Sequence, residues 1–126
     1  MAQIDTTLNV TIKEGSKEEF KRLSEEMSKV VENNEPGTTR YQFFLNDDQT
    51  QCVVNESYVN LEAALAHIKG VASQTILPKI FDTCKINRLE VFGKINDDLM
   101  KALTQMGGVN YHFLTGFSRR QHIDKT

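Results

Sequence analysis

Residues 55–67 read Asn55-Glu56-Ser57-Tyr58-Val59-Asn60-Leu61-Glu62-Ala63-Ala64-Leu65-Ala66-His67. The stretch passes from a β-rich run into a helix. Asn60 is a good N-cap, because its short side-chain oxygen can accept a free N–H of the first turn. Leu61, Ala64, Leu65 and Ile68 then recur at helical spacing as an apolar stripe that runs to Gly70. The same residues carry a carboxylate, a phenol and an imidazole. They mark the fold and are also the first candidates for chemistry.

The runs before this junction fix its partner. Thr38–Asn46 and Gln49–Ser57 are rich in β-branched and aromatic residues and are joined by Asp and Gln turn residues, a hairpin pattern. A turn centred near Asp47-Asp48 puts Tyr41, Phe43 and Leu45 on one face with Cys52, Val54 and Glu56. A slip of one residue would reverse every side chain. Upstream, Leu8, Val10 and Ile12 alternate with Asn9, Thr11 and Lys13, the pattern of a half-buried strand. Phe20, Leu23, Met27, Val30 and Val31 predict an amphipathic helix, with Ser16 and Glu19 spaced as a capping box. Pro36 and Gly37 stop it.

Downstream, Val71–Cys84 continues helically and is expected to break or kink at Pro78. Lys85–Ile95 predicts a strand. Asn96 caps a further helix, with Asp97 and Asp98 in its first turn and Gly107 at its end. Val109–Arg119 predicts a closing strand with Val109, Tyr111 and Phe113 on one face. The order is βαββα(α)β plus an extra helix and strand: an α+β, ferredoxin-like sandwich with an antiparallel sheet and helices on one face. Phe44 and Val53, among Arg40, Gln42 and Asn55, would lie on the other face. That mixture suits pairing with a second copy.

Totals narrow the function classes. A chain of 126 residues is the size of one domain, here 1–126. A net charge of −2 gives no electrostatic reason to expect nucleic acid or an anionic membrane as partner. No run approaches the ~18 apolar residues that span a bilayer, and the N-terminus shows no cationic stretch leading into an apolar one. Cys52 and Cys84 stand far apart in unrelated contexts, so reduced thiols and a cytoplasmic setting are expected. There is no Cys-x-x-Cys or His-x-x-x-His pair, no phosphate-binding glycine loop and no nucleophile elbow. Neither a metal nor a cofactor is expected.

The ordered set Glu35-Pro36-Gly37, Tyr41, Asn46-Asp47, Glu56-Ser57-Tyr58, Ala63 or Ala64, and His67 resembles the antibiotic-biosynthesis monooxygenase-like family of dimeric α+β barrels. The resemblance covers roughly residues 8–92 and leaves about 96–126 as a C-terminal extension. It implies a homodimer and a small-molecule pocket between sheet and helices. Members of that family include cofactor-independent oxygenases of quinols and polycyclic aromatics, haem-degrading proteins, isomerase-like proteins acting on small phosphorylated carbonyl compounds, and others without known activity. Several oxygenase members use a pocket tryptophan, which this chain lacks. Asn9 matches a strand asparagine of those members, although its alternation with Leu8 and Val10 can turn it to the other face.

His67 is the candidate general base. At ~100° per residue it lies roughly 120° from the middle of the apolar stripe, on its flank. The alternative is a partly exposed histidine bonded to a backbone carbonyl. Glu56 would orient His67 or contact the ligand, with its pKa raised if desolvated; otherwise it pairs with a backbone N–H, Arg40 or Arg88. Tyr41, Phe43, Tyr58 and Phe81 are candidate pocket walls, or plain core. His112 is expected to face outward or into a dimer seam, and His122 needs only solvent. Three functions remain open: a cofactor-independent monooxygenase of a small aromatic or quinol-like substrate, an isomerase of a small carbonyl compound, and a non-catalytic dimeric ligand-binding module.

Overall fold

The computed structural model describes residues 3–119. Strand β1 (Ile4–Ile12) is followed by helix α1 (Lys17–Asn34), strands β2 (Thr38–Leu45) and β3 (Gln51–Tyr58), and helix α2 (Leu61–Lys69). A π-helical segment (Ala72–Ile76) leads into α3 (Leu77–Phe81), then β4 (Cys84–Phe92), α4 (Asp97–Gln105) and β5 (Val109–Tyr111). The five strands form one sheet in the order β2-β3-β1-β4-β5. The fold is α+β and ferredoxin-like.

Alternation in β1 decides which face is covered. Ile4, Thr6, Leu8, Val10 and Ile12 are all buried, while the residues between them are half-exposed. Burying one such aliphatic side chain contributes about 1.5–3 kcal/mol. Helix α1 turns Phe20, Leu23, Met27 and Val31 onto this face. The hairpin puts the expected residues on one face, and its register sets Tyr41 opposite Glu56, Phe43 opposite Val54 and Leu45 opposite Cys52. Its turn is held by Asn46 Oδ1, which accepts the N–H groups of Thr50 and Gln51, each at 3.0 Å. Asn60 and Asn96 cap α2 and α4 as predicted, accepting from the N–H of Ala63 at 2.9 Å and of Leu99 at 3.0 Å. Both cysteines are free and buried.

Four local expectations need correction. Ser16 sits at the N-cap of α1 but makes no side-chain capping bond, and Glu19 instead binds Arg22 through Oε2 at 2.8 Å. Exposed Glu19 finds a full cation one turn away, a stronger partner than a backbone N–H. Pro78 does not break the chain. It occupies the first turn of α3, where its missing N–H costs nothing, and the irregularity falls earlier, at extended Gly70 and in the π-helical segment. The final strand spans only Val109–Tyr111 and leaves Phe113 outside. It also lies parallel to β4, so the sheet is antiparallel except at this edge. The α4 connection between the two strands permits that direction.

No helix among the described residues is long and apolar enough to cross a membrane.

Candidate functional site

Between the sheet and the helices lies a cavity of about 280 Å³. Its floor is β1, through Ile4, Thr6, Leu8 and Val10. One wall is β2 and β3, β4 adds Leu89 and Val91, and the rest comes from Phe20 of α1, α2, the π-helical segment, α3 and α4 with its C-terminal end. The lining is mostly apolar, and its ionisable groups meet where the end of β3 faces α2.

Glycine packing brings that corner together. A Cβ on Gly37 would lie 2.6 Å from the Ala63 Cβ, so only glycine lets the α1–β2 turn approach α2 this closely. At the other end of α2, a Cβ on Gly70 would come within 3.0 Å of Glu35 Oε2. The Glu35 carboxylate is thereby seated against His67, with Oε1 2.7 Å from Nδ1. Thr38 Oγ1 donates to the same oxygen at 3.2 Å. A carboxylate can only accept, so Nδ1 carries the proton and Nε2 is left with its lone pair.

Nε2 of His67 lies 3.9 Å from Glu56 Oε1, and the Tyr58 hydroxyl donates to that same oxygen. The imidazole is flanked by the rings of Tyr41 and Tyr58, each with its centroid 5.4 Å away. Tyr41 in turn meets Phe43 edge-on at 5.4 Å. The result is two hydrogen-bonded pairs, Glu35 with His67 and Glu56 with Tyr58, set 3.9 Å apart.

Burial sets the electrostatics. It raises the pKa of Glu56 above its ordinary 4.5, and the nearby Glu35 adds to the rise, while His67 and the Tyr58 hydroxyl pull it back. For His67, burial opposes the charged form, yet the bond to Glu35 and the fields of Glu56 and Glu35 outweigh it. Its pKa ends above the usual 6.5. Desolvation, reinforced by Glu56, drives the phenols of Tyr41 and Tyr58 well above 10, so both remain neutral hydrogen-bonding groups. The arrangement can take a proton at Nε2 and hold the resulting cation between two carboxylates.

The structure brings six of the seven predicted site residues to this cavity: His67, Glu56, Tyr58, Tyr41, Phe43 and Phe81 all line it. Asn9 does not. It projects from the opposite face of β1, where its Oδ1 accepts from Asn87 Nδ2 at 2.8 Å. Nor is His67 a partly exposed flank residue. It is 7% exposed, more buried than Leu61, Leu65 or Ile68, because α2 turns this side toward β2, β3 and Glu35. The suggested arginine partners of Glu56 are engaged elsewhere, Arg40 with Ser57 Oγ at 3.1 Å and Arg88 with Glu90 at 2.6 Å. His112 is exposed, and His122 lies outside the described residues.

Sequence reasoning assigned no site role to Glu35. A signal was present: an acidic residue at the C-terminal end of a helix opposes the helix dipole, which implies some other partner. No group of three or more His, Cys, Asp or Glu side chains among the described residues is placed to hold a metal ion.

Comparison with known proteins agrees with this architecture. MupZ from Pseudomonas fluorescens is 26% identical, with a TM-score of 0.81 over 94% of this chain and 96% of that one, so the likeness includes most of the C-terminal segment. A conserved protein from Methanosarcina mazei is similar at 15% identity and TM-score 0.65, over 75% of this chain and 94% of its own. A variant of SnoaB, a cofactor-independent oxygenase from Streptomyces nogalater, is similar at 12% identity and TM-score 0.63, over 73% of this chain and 92% of its own. At those identities the last two speak to the fold alone. No curated protein sequence matches the chain. The sequence profile described as antibiotic biosynthesis monooxygenase matches residues 7–77, which hold most of β1, all of α1, β2, β3 and α2, and the four residues Glu35, Glu56, Tyr58 and His67. This protein therefore belongs to the antibiotic biosynthesis monooxygenase family.

Proposed function

We propose that the cavity is the site of a cofactor-independent oxygenation of a small aromatic or quinol-like substrate, with His67 as general base. The observation that carries this reading is the state of one imidazole. Glu35 fixes Nδ1 at 2.7 Å, and the imidazole lines a largely apolar cavity of about 280 Å³ with its other nitrogen 3.9 Å from Glu56. A low-dielectric pocket with one oriented base suits a substrate whose acidic O–H must be ionised away from bulk water.

In this mechanism Nε2 takes the phenolic proton, and the anion passes one electron to dioxygen. The two radicals couple at a ring carbon, and the new peroxide recovers the proton from His67. Loss of that carbon's hydrogen with cleavage of the O–O bond releases water and leaves a carbonyl. One oxygen atom ends in the product and the other in water. Tyr58 and Glu56 stabilise the imidazolium while it exists, and Tyr41 and Phe43 flank the ring.

A proton-shuttling isomerisation of a small carbonyl compound would use the same base. What favours it is the second carboxyl, Glu56, whose proton affinity burial raises, so that two proton-carrying groups stand at one corner of the cavity. Dioxygen uptake with a panel of quinols and naphthols separates the two. Uptake matched to product formation is expected, with a loss of about 10²–10⁴-fold in His67→Ala. Equal rates in wild type and variant would exclude the base role, and turnover that persists under argon would favour isomerisation.

The protein is further proposed to act as a cytoplasmic homodimer, paired through the sheet face opposite the cavity. Phe44 is 51% exposed there, an unusual position for a large apolar ring. Light scattering should give twice the chain mass for the wild type and a shift toward monomer for Phe44→Glu. A monomeric wild type at micromolar concentration contradicts this assembly.

A further inference from the structure

The sheet side chains that face the cavity fall into two straight rows. Register places Tyr41 of β2 beside Glu56 of β3, Glu56 beside Thr6 of β1, and Thr6 beside Val91 of β4. The next row runs Phe43, Val54, Leu8 and Leu89 in the same strand order. All eight line the cavity. Each row crosses four strands, about 14 Å at the usual strand spacing.

The lining changes character along that length. Its ionisable side chains, Tyr41, Glu56, Tyr58 and His67, all come from β2, β3 and α2. The opposite end is aliphatic: β4 and α4 supply Leu89, Val91, Leu99, Ala102 and Leu103, and Met106 follows at the end of α4. No aromatic ring of the lining comes from β1, β4 or α4. This end is closely built. A Cβ on Gly108 would lie 2.1 Å from Leu103 Cδ1 and 3.1 Å from Leu89 Cγ, so α4 lies directly against β4. Between Leu99 and Leu103, Ala102 keeps the space open where a larger side chain would fill it. Apolar groups facing an empty space forgo packing contacts, so such a cavity is destabilising until a ligand occupies it.

We propose that β4 and α4 form a binding subsite for an aliphatic chain. The substrate is then an amphiphile, with one ionisable oxygen at His67 and a hydrocarbon chain running across β1 toward α4. This rests on the reading of the cavity as a ligand site with His67 at the reacting oxygen, and it selects chain-bearing molecules over bare rings. The subsite is built by elements that lie beyond residues 7–77, the stretch that the family profile matches.

Anaerobic calorimetric titration of the full chain with 4-ethyl-, 4-butyl- and 4-hexylphenol tests this, because binding is read without turnover. Wild-type affinity should rise about threefold to fourfold per methylene, the factor for burying one CH₂. Ala102→Phe, which fills the subsite, should abolish the gain beyond the ethyl group and leave 4-ethylphenol affinity unchanged. Ala102→Leu should give an intermediate slope, and leucine suits a helix, so it decides the matter if the phenylalanine variant folds poorly. Alkylphenols held on exposed apolar surface would show a similar slope in the wild type, but neither substitution would reduce it. A slope that survives in both variants overturns the proposal, and so does a flat wild-type series or failure of all three phenols to bind. Oxygenation is read separately. Dioxygen uptake with naphthols beside a flat series would keep the oxygenase reading and remove the subsite; the expected series without uptake would do the reverse.

Discussion

Adjacent residues of β1 serve two different surfaces. Toward the helices, Ile4, Leu8 and Val10 are buried aliphatics that floor the cavity, with Thr6 as the single polar member. Toward the other side, polar side chains bond laterally across the sheet. Thr7 donates to Asn55 Oδ1 at 3.2 Å, Asn87 bridges Asn9 and Thr11 at 2.8 Å each, and Ser57 donates to Asp5 at 2.6 Å. The back face spreads its polarity over many neutral or solvated groups. The cavity face gathers its ionisable groups into one corner, where they stand in two hydrogen-bonded pairs. In a low-dielectric site an unpaired member of such a pair is costly, so the same polarity is weakly felt on one face and strongly on the other.

The sharpest way to break this comparison is a pair of neighbouring truncations. Leu8→Ala should destabilise the protein by about 2–4 kcal/mol, since it enlarges the floor of an existing cavity. Asn9→Ala should cost about 1 kcal/mol or less, the worth of one exposed hydrogen bond. Chemical denaturation of both variants checks the pair, and equal losses would show that the two faces are not energetically distinct.

Next in size is Glu35→Gln, which keeps the shape of the carboxylate but removes its charge. As a positioning residue, Glu35 should affect kcat by at least about tenfold. The pH profile is the more specific readout. Among the influences that raise the His67 pKa, the hydrogen bond it donates to Glu35 is the largest, so weakening it should move the acid limb of kcat/KM to lower pH. A merely structural Glu35 would lower activity without moving that limb.

The smallest effect concerns stability against pH. Both Glu56 and His67 have folded pKa values raised above their ordinary 4.5 and 6.5. A raised folded pKa means the folded state binds the proton more tightly than the unfolded chain. The stabilisation is therefore complete below the unfolded values and is lost as pH rises through the folded ones. Tm should decline with rising pH, beginning above 4.5 for Glu56 and above 6.5 for His67. His67→Gln should flatten the upper part of the decline and Phe44→Ala, on the back face, should leave the slope as it is.

Much of the architecture was legible because it depends on short periods. Two-residue alternation identified β1 and, with a turn near Asp47-Asp48, put Tyr41, Phe43 and Leu45 on the same face as Glu56; the pairing of Tyr41 with Glu56 itself came with the structure. Helical spacing found α1, and short polar side chains found the starts of α2 and α4. The Ser16–Glu19 spacing misled because an exposed glutamate takes whichever partner is strongest, here Arg22. The parallel pairing of β5 was not legible, since strand direction follows from how the α4 connection crosses the sheet edge and not from residue type.

The site divides along the same line. By itself the sequence determined that a carboxylate, a phenol and an imidazole stand at one strand–helix junction, because all three lie within a single local motif. Only the tertiary structure decided that His67 is buried, that Glu35 from a distant turn fixes its tautomer, and that Asn9 points away. A helical wheel ranks faces by hydrophobicity and so expects the apolar stripe to be the most buried. Here a polar side chain went deeper than Leu61, Leu65 and Ile68 of that stripe, because packing across Gly37 and Gly70 brought a carboxylate to meet it. That meeting is a long-range contact, and long-range contacts leave no periodic trace in a chain.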